Sequence, residues 1–549
     1  MITFPSYALI AAVGVPLFLL LIRSRRRSLK FLQGPPSPSI LLGHEYALVS
    51  EAEDGDLEFG WFERYGTAFK AKGCFNEDVL MVADPLALQH IFQKTGYRYR
   101  KAREVELQGL QINGPGLFAV QGESHQRQRK LLNPAFSVLQ TQKFCPIFQN
   151  SANTLVRKWK NGLKLGPKVF NVLEWLPNMA LDALGESVFE YDFGAAEDKH
   201  NELATLVEEL FVDSHFLTPG VLLYIAAIRA APNFLIKLSQ YLPSTKEQVR
   251  WKKWRATAYA TAEAMYEKRM REAQGSAEME NDVLGVVCRA LESSNPEKMM
   301  HPEEASAQLA TMIMAGHETT ALTMTWIIYE LSRHPEDQHR ILEEVKRRRE
   351  ETRNEGELTP QDYNSMSYLG AVIKEALRLY PILSTIPVEA EVDDVIPLEY
   401  PVVSSSGHVI REVPVAKDQR VIASVDVYNR LKEVWGEDAH EWRPTRFLED
   451  KTQTTLGVYG NVFTFGAGAR ACIGSPFLIA ARTLTGQDLN RILEVQAVIV
   501  TLLEAFELSL PKEGLDIMRA KGIIMRPVIR GQLHEGQQMP ILIKNRDSD

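Results

Sequence analysis

Close to its C-terminal end the chain reads VFTFGAGARACIG, residues 462–474, and no other stretch restricts the possible fold as much. It predicts a strand over 458–465, a tight loop at Gly466 and Gly468, and then Arg470, Cys472 and Gly474. Backbone N–H groups and a nearby cation favour the thiolate of such a cysteine, the form that binds metal. Glycines let the backbone pass close to a large flat ligand, because no Cβ intrudes. Gly466, Gly468 and Ala471 also satisfy the G-x-G-x-x-A dinucleotide pattern, with Asp488 at roughly the distance of a ribose-binding acid. Fewer than eighty residues follow the loop, too few for a doubly wound sheet around it. Taken alone, the loop also allows a structural turn with an inert cysteine.

The other cysteines, Cys74, Cys145 and Cys288, are far apart, and no C-x-x-C pair exists. That argues against a zinc site and against a disulfide scaffold. A working Cys472 needs a reduced thiol, which fits a reducing compartment. Over 549 residues the net charge is −8, so no nucleic-acid surface is expected.

Residues 4–22 carry no charged side chain, and Arg23, Arg25, Arg26, Arg27 and Lys30 follow at once. As a helix the run is roughly 28 Å long, near the hydrocarbon thickness of a bilayer. The basic flank places the C-terminal side in the cytoplasm. A signal peptide would carry its positive charge before the apolar core. GPPSPS, residues 34–39, is a stiff linker between this anchor and the rest. Asp84-Pro85 predicts a helix start, and between 61 and 83 glycines alternate with short β-like runs such as DVLMVAD. Residues 201–214 and 248–274 have helical periodicity. Between them, 215–238 is apolar but broken by Pro219, Gly220 and Pro232 and charged at Arg229, which argues against a second span.

Residues 302–334 predict a long helix whose middle reads MIMAGHETTALTM. Ala315 and Gly316 supply small side chains and an invitation to kink. Glu318 followed by Thr319 is an acid beside an alcohol, able to pass protons between solvent and a reacting group. His317-Glu318 suggests a zinc protease, but position 321 is alanine where a second histidine is required. In AVIKEALRLYP, residues 371–381, Glu375 and Arg378 share a helix face. WRPTRF, residues 442–447, offers Arg446 as a third member. In a helix over 122–136, His125 and Arg129 also share a face.

Together these segments resemble the cytochrome P450 family. Phe465, Gly468, Arg470, Cys472 and Gly474 match its haem-binding signature; Ala315, Gly316, Glu318 and Thr319 match its oxygen-activation motif; Glu375, Arg378 and Arg446 match its E-x-x-R and P-x-R-F motifs. The resemblance implies a mainly α fold with a small β region. One N-terminal transmembrane helix precedes it: residues 1–33 form the anchor and basic flank, and 34–549 the catalytic domain. It implies haem b, with Cys472 as the proximal iron ligand whose electron donation favours O–O cleavage. It implies that Glu318 and Thr319 deliver protons, and that His125 and Arg129 meet a haem propionate. Glu375, Arg378 and Arg446 would lock the helix beneath the cysteine loop. Residues 108–118, 310–319 and 383–386 would bound the substrate; the tail, with KGIIMRPVIRG and QMPILIK, reads as a β-hairpin whose tip near Ile523 would be a further wall.

The activity so implied is monooxygenation of a small hydrophobic substrate on the endoplasmic reticulum membrane, in contact with lipid. Electrons would come from an NADPH–cytochrome P450 reductase. The chain looks most like fungal microsomal members, many of which act on terpenoids, lipids or xenobiotics. Residues 215–238 would then form a lid touching the membrane. Two departures stand out. Where many relatives place an arginine for the second propionate, this chain has Val388-Glu389-Ala390. About fourteen residues, 478–491, separate the cysteine loop from the apolar helix expected over 492–510. They are either a real loop or a gene-model artefact. A haem-thiolate isomerase or peroxygenase, or a haem protein silenced by the insertion, are the alternatives.

Overall fold

The computed structural model describes residues 29–197, 202–211, 217–234, 236, 244–273, 282–352, 356–449, 456–457, 459–474, 493–511 and 515–546. The apolar run 4–22 and the extra segment 478–491 lie outside them. Among the described residues no helix is long and apolar enough to cross a membrane.

The chain is mainly helical, with small sheets on one side. Its axis is the helix Pro302–Arg333, which buries side chains all round, Leu309, Ile313, Leu322, Trp326 and Leu331 among them. A helix apolar on every face must be enclosed on every face. Here the helices Leu176–Leu184, Lys246–Ala273, Ser367–Leu379 and Leu493–Ala505 pack against it. Pro302 fits the first turn, where its missing N–H costs nothing, and the Glu304 carboxylate accepts the His301 N–H at 3.1 Å. Pro335 disfavours helical backbone at His334, where the helix stops.

In chain order the strands are β1 (Ala68–Lys72), β2 (Asp78–Val82), β3 (Tyr99–Lys101), β4 (Lys168–Asn171), β5 (Thr385–Ala390), β6 (Asp394–Val403), β7 (Val409–Val415), β8 (Arg420–Ser424), β9 (Phe506–Ser509), β10 (Ile517–Ala520), β11 (Arg526–Ile529) and β12 (Pro540–Asn545). Five of them form a sheet in the order β1-β2-β8-β5-β3, in which β2–β8 is the parallel pair. A second sheet runs β4-β12-β9, and β6/β7 and β10/β11 are hairpins. Asp84 caps the helix after β2 as expected, accepting from the N–H groups of Leu86 and Ala87.

Two cores result, one inside the helical body and one behind the five-stranded sheet. The cysteine loop lies on their seam. Phe463 and Ala467 belong to the sheet-side core, while Phe465 and Ile473 pack on the helical one.

Three expectations need correction. Among the described residues no strand leads into the loop: Tyr459 and Val462 form an isolated bridge about a turn in which Gly460 and Asn461 have φ of 56° and 62°. The helix expected over 492–510 ends at Ala505, and Phe506–Ser509 is β9, drawn into register with β12. The tail is not one hairpin: β10 pairs β11, whereas the QMPILIK segment supplies β12, which pairs β4 and β9.

Candidate active site

The loop around Cys472 is held from beneath by a chain of buried hydrogen bonds. Glu375 and Arg378 are wholly buried, joined by two bonds of 2.8 Å, and Arg446 Nε donates to Glu375 Oε1 at 3.0 Å. Arg378 Nη1 donates to the Asn429 carbonyl at 2.9 Å, and Asn429 Oδ1 accepts from the Phe463 N–H at 2.8 Å. Thr464 Oγ1 donates to the Leu377 carbonyl at 2.7 Å. The three charges expected to act together are therefore in contact, and they reach the loop through Asn429. Burial raises the stakes: a pair out of water is tolerated only when its remaining donors and acceptors are also satisfied.

Above this base the chain turns sharply. Gly468 has φ of 65°, and a Cβ there would sit 1.8 Å from the Phe92 carbonyl oxygen, so only glycine fits. The Cys472 N–H donates to the Phe465 carbonyl at 2.9 Å, closing the loop. Cys472 itself is exposed, unlike the buried Cys74, Cys145 and Cys288. Arg129 reaches it from the helix Gly122–Leu132: Nη1 donates to the Ala471 carbonyl at 2.5 Å, and the thiolate's charge opposes the lowering of the Arg129 pKa that burial causes.

Beside the loop lies a basic cradle. The Arg470 guanidinium stacks 4.6 Å over the Tyr97 ring and donates to the Tyr99 carbonyl at 2.5 Å, yet its buried Nε has no hydrogen-bond acceptor. The Tyr97 hydroxyl lies 2.8 Å from His125 Nδ1. Burial, then the charges of Lys101, Arg470 and Arg129, push His125 down to about 3. The ring is thus neutral at physiological pH, with one of its two nitrogens carrying a proton. Lys101 holds the carbonyls of Leu117 and Phe118 at 3.0 and 2.5 Å, and burial followed by Arg470 pushes its amine down to about 7. Such a concentration of positive charge and unspent donors fits an anion carrying more than one carboxylate.

The helix Pro302–Arg333 runs without interruption through Gly316. Ala315 is exposed and Thr319 half-exposed, and Thr319 Oγ1 donates to the Ala315 carbonyl at 2.7 Å. Gly316 is small for another reason than expected: a Cβ there would lie 2.9 Å from Leu184 Cδ1, on the neighbouring helix. Glu318 does not open to solvent. It is buried and ion-paired with the equally buried Arg526 of β11. His317 fills space, its Nδ1 2.6 Å from the Ile313 carbonyl.

The cytochrome P450 family model matches residues 35–533 of the chain. Cytochrome P450 monooxygenase 205 of Postia placenta is 31% identical, with 97% of each chain covered. The cytochrome P450 monooxygenase claQ of Ampulloclitocybe clavipes is 30% identical over 93% of this chain and 92% of that protein. The chain belongs to the cytochrome P450 family. It is a monooxygenase of the oxidoreductase class, and its cofactor is haem b.

The residues present in this P450 fit that group. Cys472 is the exposed sulfur on a glycine loop, and the cradle of Arg129, His125, Arg470 and Lys101 matches two propionates, with the orphaned Arg470 Nε among its donors. Phe465, Gly468 and Gly474 shape the loop surface. Ala315 and Gly316 are the small residues of the facing helix. Lys101 and Tyr97 were not legible as site residues. Lys101 stands opposite Val388 in the β3–β5 register, while Glu389 beside it is taken by Arg100 at 2.8 Å. The neighbouring strand thus carries a cation opposite Val388, its amine bonded to the carbonyls of Leu117, Phe118 and Val120. Apolar side chains expected at the substrate side are on the surface here: Phe118, Leu383 and Ile523. The turn carrying Ile523 is tied to the segment before Leu383 by the Met525 N–H donating to the Ile382 carbonyl at 2.8 Å.

Proposed function

We propose that this P450 inserts one oxygen atom of O2 into a small hydrophobic substrate, using electrons from an NADPH-dependent flavoprotein reductase. Bound haem, ligated by thiolate, supplies dioxygen activation and electron storage. The observation that carries the reading is the pairing of Thr319, half-exposed beside Ala315, with the buried acid Glu318 on the next residue. That pair gives the pocket a proton donor at its wall and a reservoir behind it. Isomerases and peroxide-using relatives do not need it. Phe118, Leu383 and Ile523 offer apolar contact to a substrate of the same character, as part of a pocket lined mostly by carbon with few polar groups.

The proposed location is the endoplasmic reticulum membrane, with residues 4–22 as the single span and the catalytic body in the cytoplasm. Exposed Ile40, Leu41, Tyr46, Tyr224 and Phe234 support a second contact with the bilayer surface. The packing of the turn Cys74–Asn76 on the helix Pro219–Ala230 supports reading this as the lid face. A role in secondary metabolism is part of the same proposal.

The test is the reduced carbon-monoxide difference spectrum of the membrane-expressed protein, followed by turnover under isotopically labelled O2. A band at about 450 nm, the sign of a thiolate-ligated haem, is expected, with one labelled atom in product. Absence of the band sinks the proposal, and label arriving from water or peroxide instead favours the peroxygenase alternative.

A further inference from the structure

We propose that Arg526, on the C-terminal hairpin, is the residue that positions the Glu318 carboxylate for proton delivery. The inference rests on the monooxygenase reading above and adds a member to its proton path.

The sequence separation is large, 208 residues, but both side chains are almost entirely withdrawn from water, Glu318 at 5% and Arg526 at 3% exposure. A carboxylate in such surroundings keeps its charge only beside a cation, and its orientation is set by that cation. The adjacent His317 cannot serve. Its ring is buried and turned to the Ile313 carbonyl, and burial pushes it down to about 4, so it is neutral.

Arg526 is presented from a fixed support. It pairs with Ala520 across the β10/β11 hairpin, and its neighbour Met525 is bonded to Ile382. The other strand of the hairpin is bolted down by charge. Arg519 Nη1 meets Asp426 at 2.8 Å, and Lys521, just past β10, meets Glu51 and Glu58 at 2.7 and 2.9 Å. Such a support fits a group that must hold its partner within a fraction of an ångström.

Thr319, one residue on, already spends its hydroxyl proton on the Ala315 carbonyl. Its oxygen therefore receives a proton before it gives one. Glu318 takes up a proton from solvent water, passes it to the Thr319 oxygen as that hydroxyl passes its own proton on, and so ends each cycle as the carboxylate. Arg526 favours the return to carboxylate after each transfer and keeps the oxygens aimed.

The consequence can be read without a known substrate. When protons arrive correctly, two NADPH, two H+ and one O2 yield two NADP+ and two H2O. When they do not, one NADPH, one H+ and one O2 yield NADP+ and H2O2. Peroxide per NADPH, measured with reductase in the full-length membrane enzyme, reports the branching directly. Arg526→Gln is expected to raise it at least threefold, with the carbon-monoxide band unchanged. Arg526→Lys, which keeps the charge, is expected to fall within twofold of the parent. The double variant Glu318→Gln/Arg526→Gln leaves no uncompensated buried charge, so it folds even where the single variant does not. It is expected to match Glu318→Gln in peroxide ratio and in solvent isotope effect. An intact band with an unaltered ratio in Arg526→Gln overturns the proposal. So does a double variant whose ratio differs from that of Glu318→Gln by more than threefold. Loss of the band in the parent enzyme is a failure of the monooxygenase reading instead.

Discussion

Lys101 has the strangest position of any side chain in the site. Its amine sits among carbonyls of the segment 117–120 and beside Arg470, with Glu106 as the offsetting charge. A lysine there costs stability unless an anion arrives. In the fold its amine falls to about 7 against an ordinary 10.5. The haem-free chain therefore binds fewer protons folded than unfolded between those values, so its stability rises with pH across that window and is lost as pH falls toward 7. Bound propionates should cancel this slope. Thermal unfolding of haem-free and haem-loaded protein at pH 7 and pH 9 checks it: a gain at pH 9 is expected only without haem. Arg470 and Arg129 remain in Lys101→Met, so haem should still bind. Its transfer to an excess of apomyoglobin should accelerate about tenfold, the worth of roughly 1.4 kcal/mol. An unchanged transfer rate would remove Lys101 from the cradle.

Among the elements, the helix Pro219–Ala230 is anchored in an unexpected way. Its sequence is nearly all apolar, and Arg229 is its one charged residue. In the fold Arg229 is buried against Glu77, Glu45 and Glu104 at 2.7, 3.2 and 3.5 Å, and Arg420 of β8 meets Glu45 and Glu104 at 2.8 and 2.7 Å. Burial alone would raise Glu45, but Arg420 and Arg229 overcome it and hold it at about 2. Its contribution is therefore full above about 4.5 and is lost as pH falls toward 2. Arg229→Met leaves three carboxylates with one arginine, a loss of about 3 kcal/mol for the local structure. Limited proteolysis should then cut first between 212 and 243, while the parent resists. A variant with the parent's cleavage pattern would show that the apolar contacts of Leu222 and Ala226 hold the helix without the charges.

For the molecule as a whole, the features legible in the sequence were those whose parts lie within a turn or two of one another. Glu375 with Arg378, Asp84 with Pro85, and the run from Phe465 to Gly474 are local, and each was found where its spacing put it. Lys101 and Arg526 were not, because strand register places one opposite Val388 and a hairpin carries the other to Glu318. No local period encodes either meeting. Gly316 was legible as a necessary glycine, but its reason, the side chain of Leu184, belongs to another helix. The segment 478–491 is the point at which sequence patterning fails altogether. Sequencing the transcript across codons 472–495 decides it: a message lacking the segment is the outcome if this chain retains unspliced sequence. A message containing it makes the haem content of the long form, against a deletion of 478–491, the next measurement.

The strand β12 lies between β4 and β9, so the middle of that sheet is the last of the described strands to be made. At about 5–20 residues per second, β4 waits roughly 20 to 75 s on the ribosome before its partner exists. During that time its edge is open to any other extended chain. Synthesis, not only sequence, thus sets how much of this enzyme reaches its native state, and slowing the last codons or fusing a bulky tag directly after β12 should lower yield well before it lowers the activity of what folds.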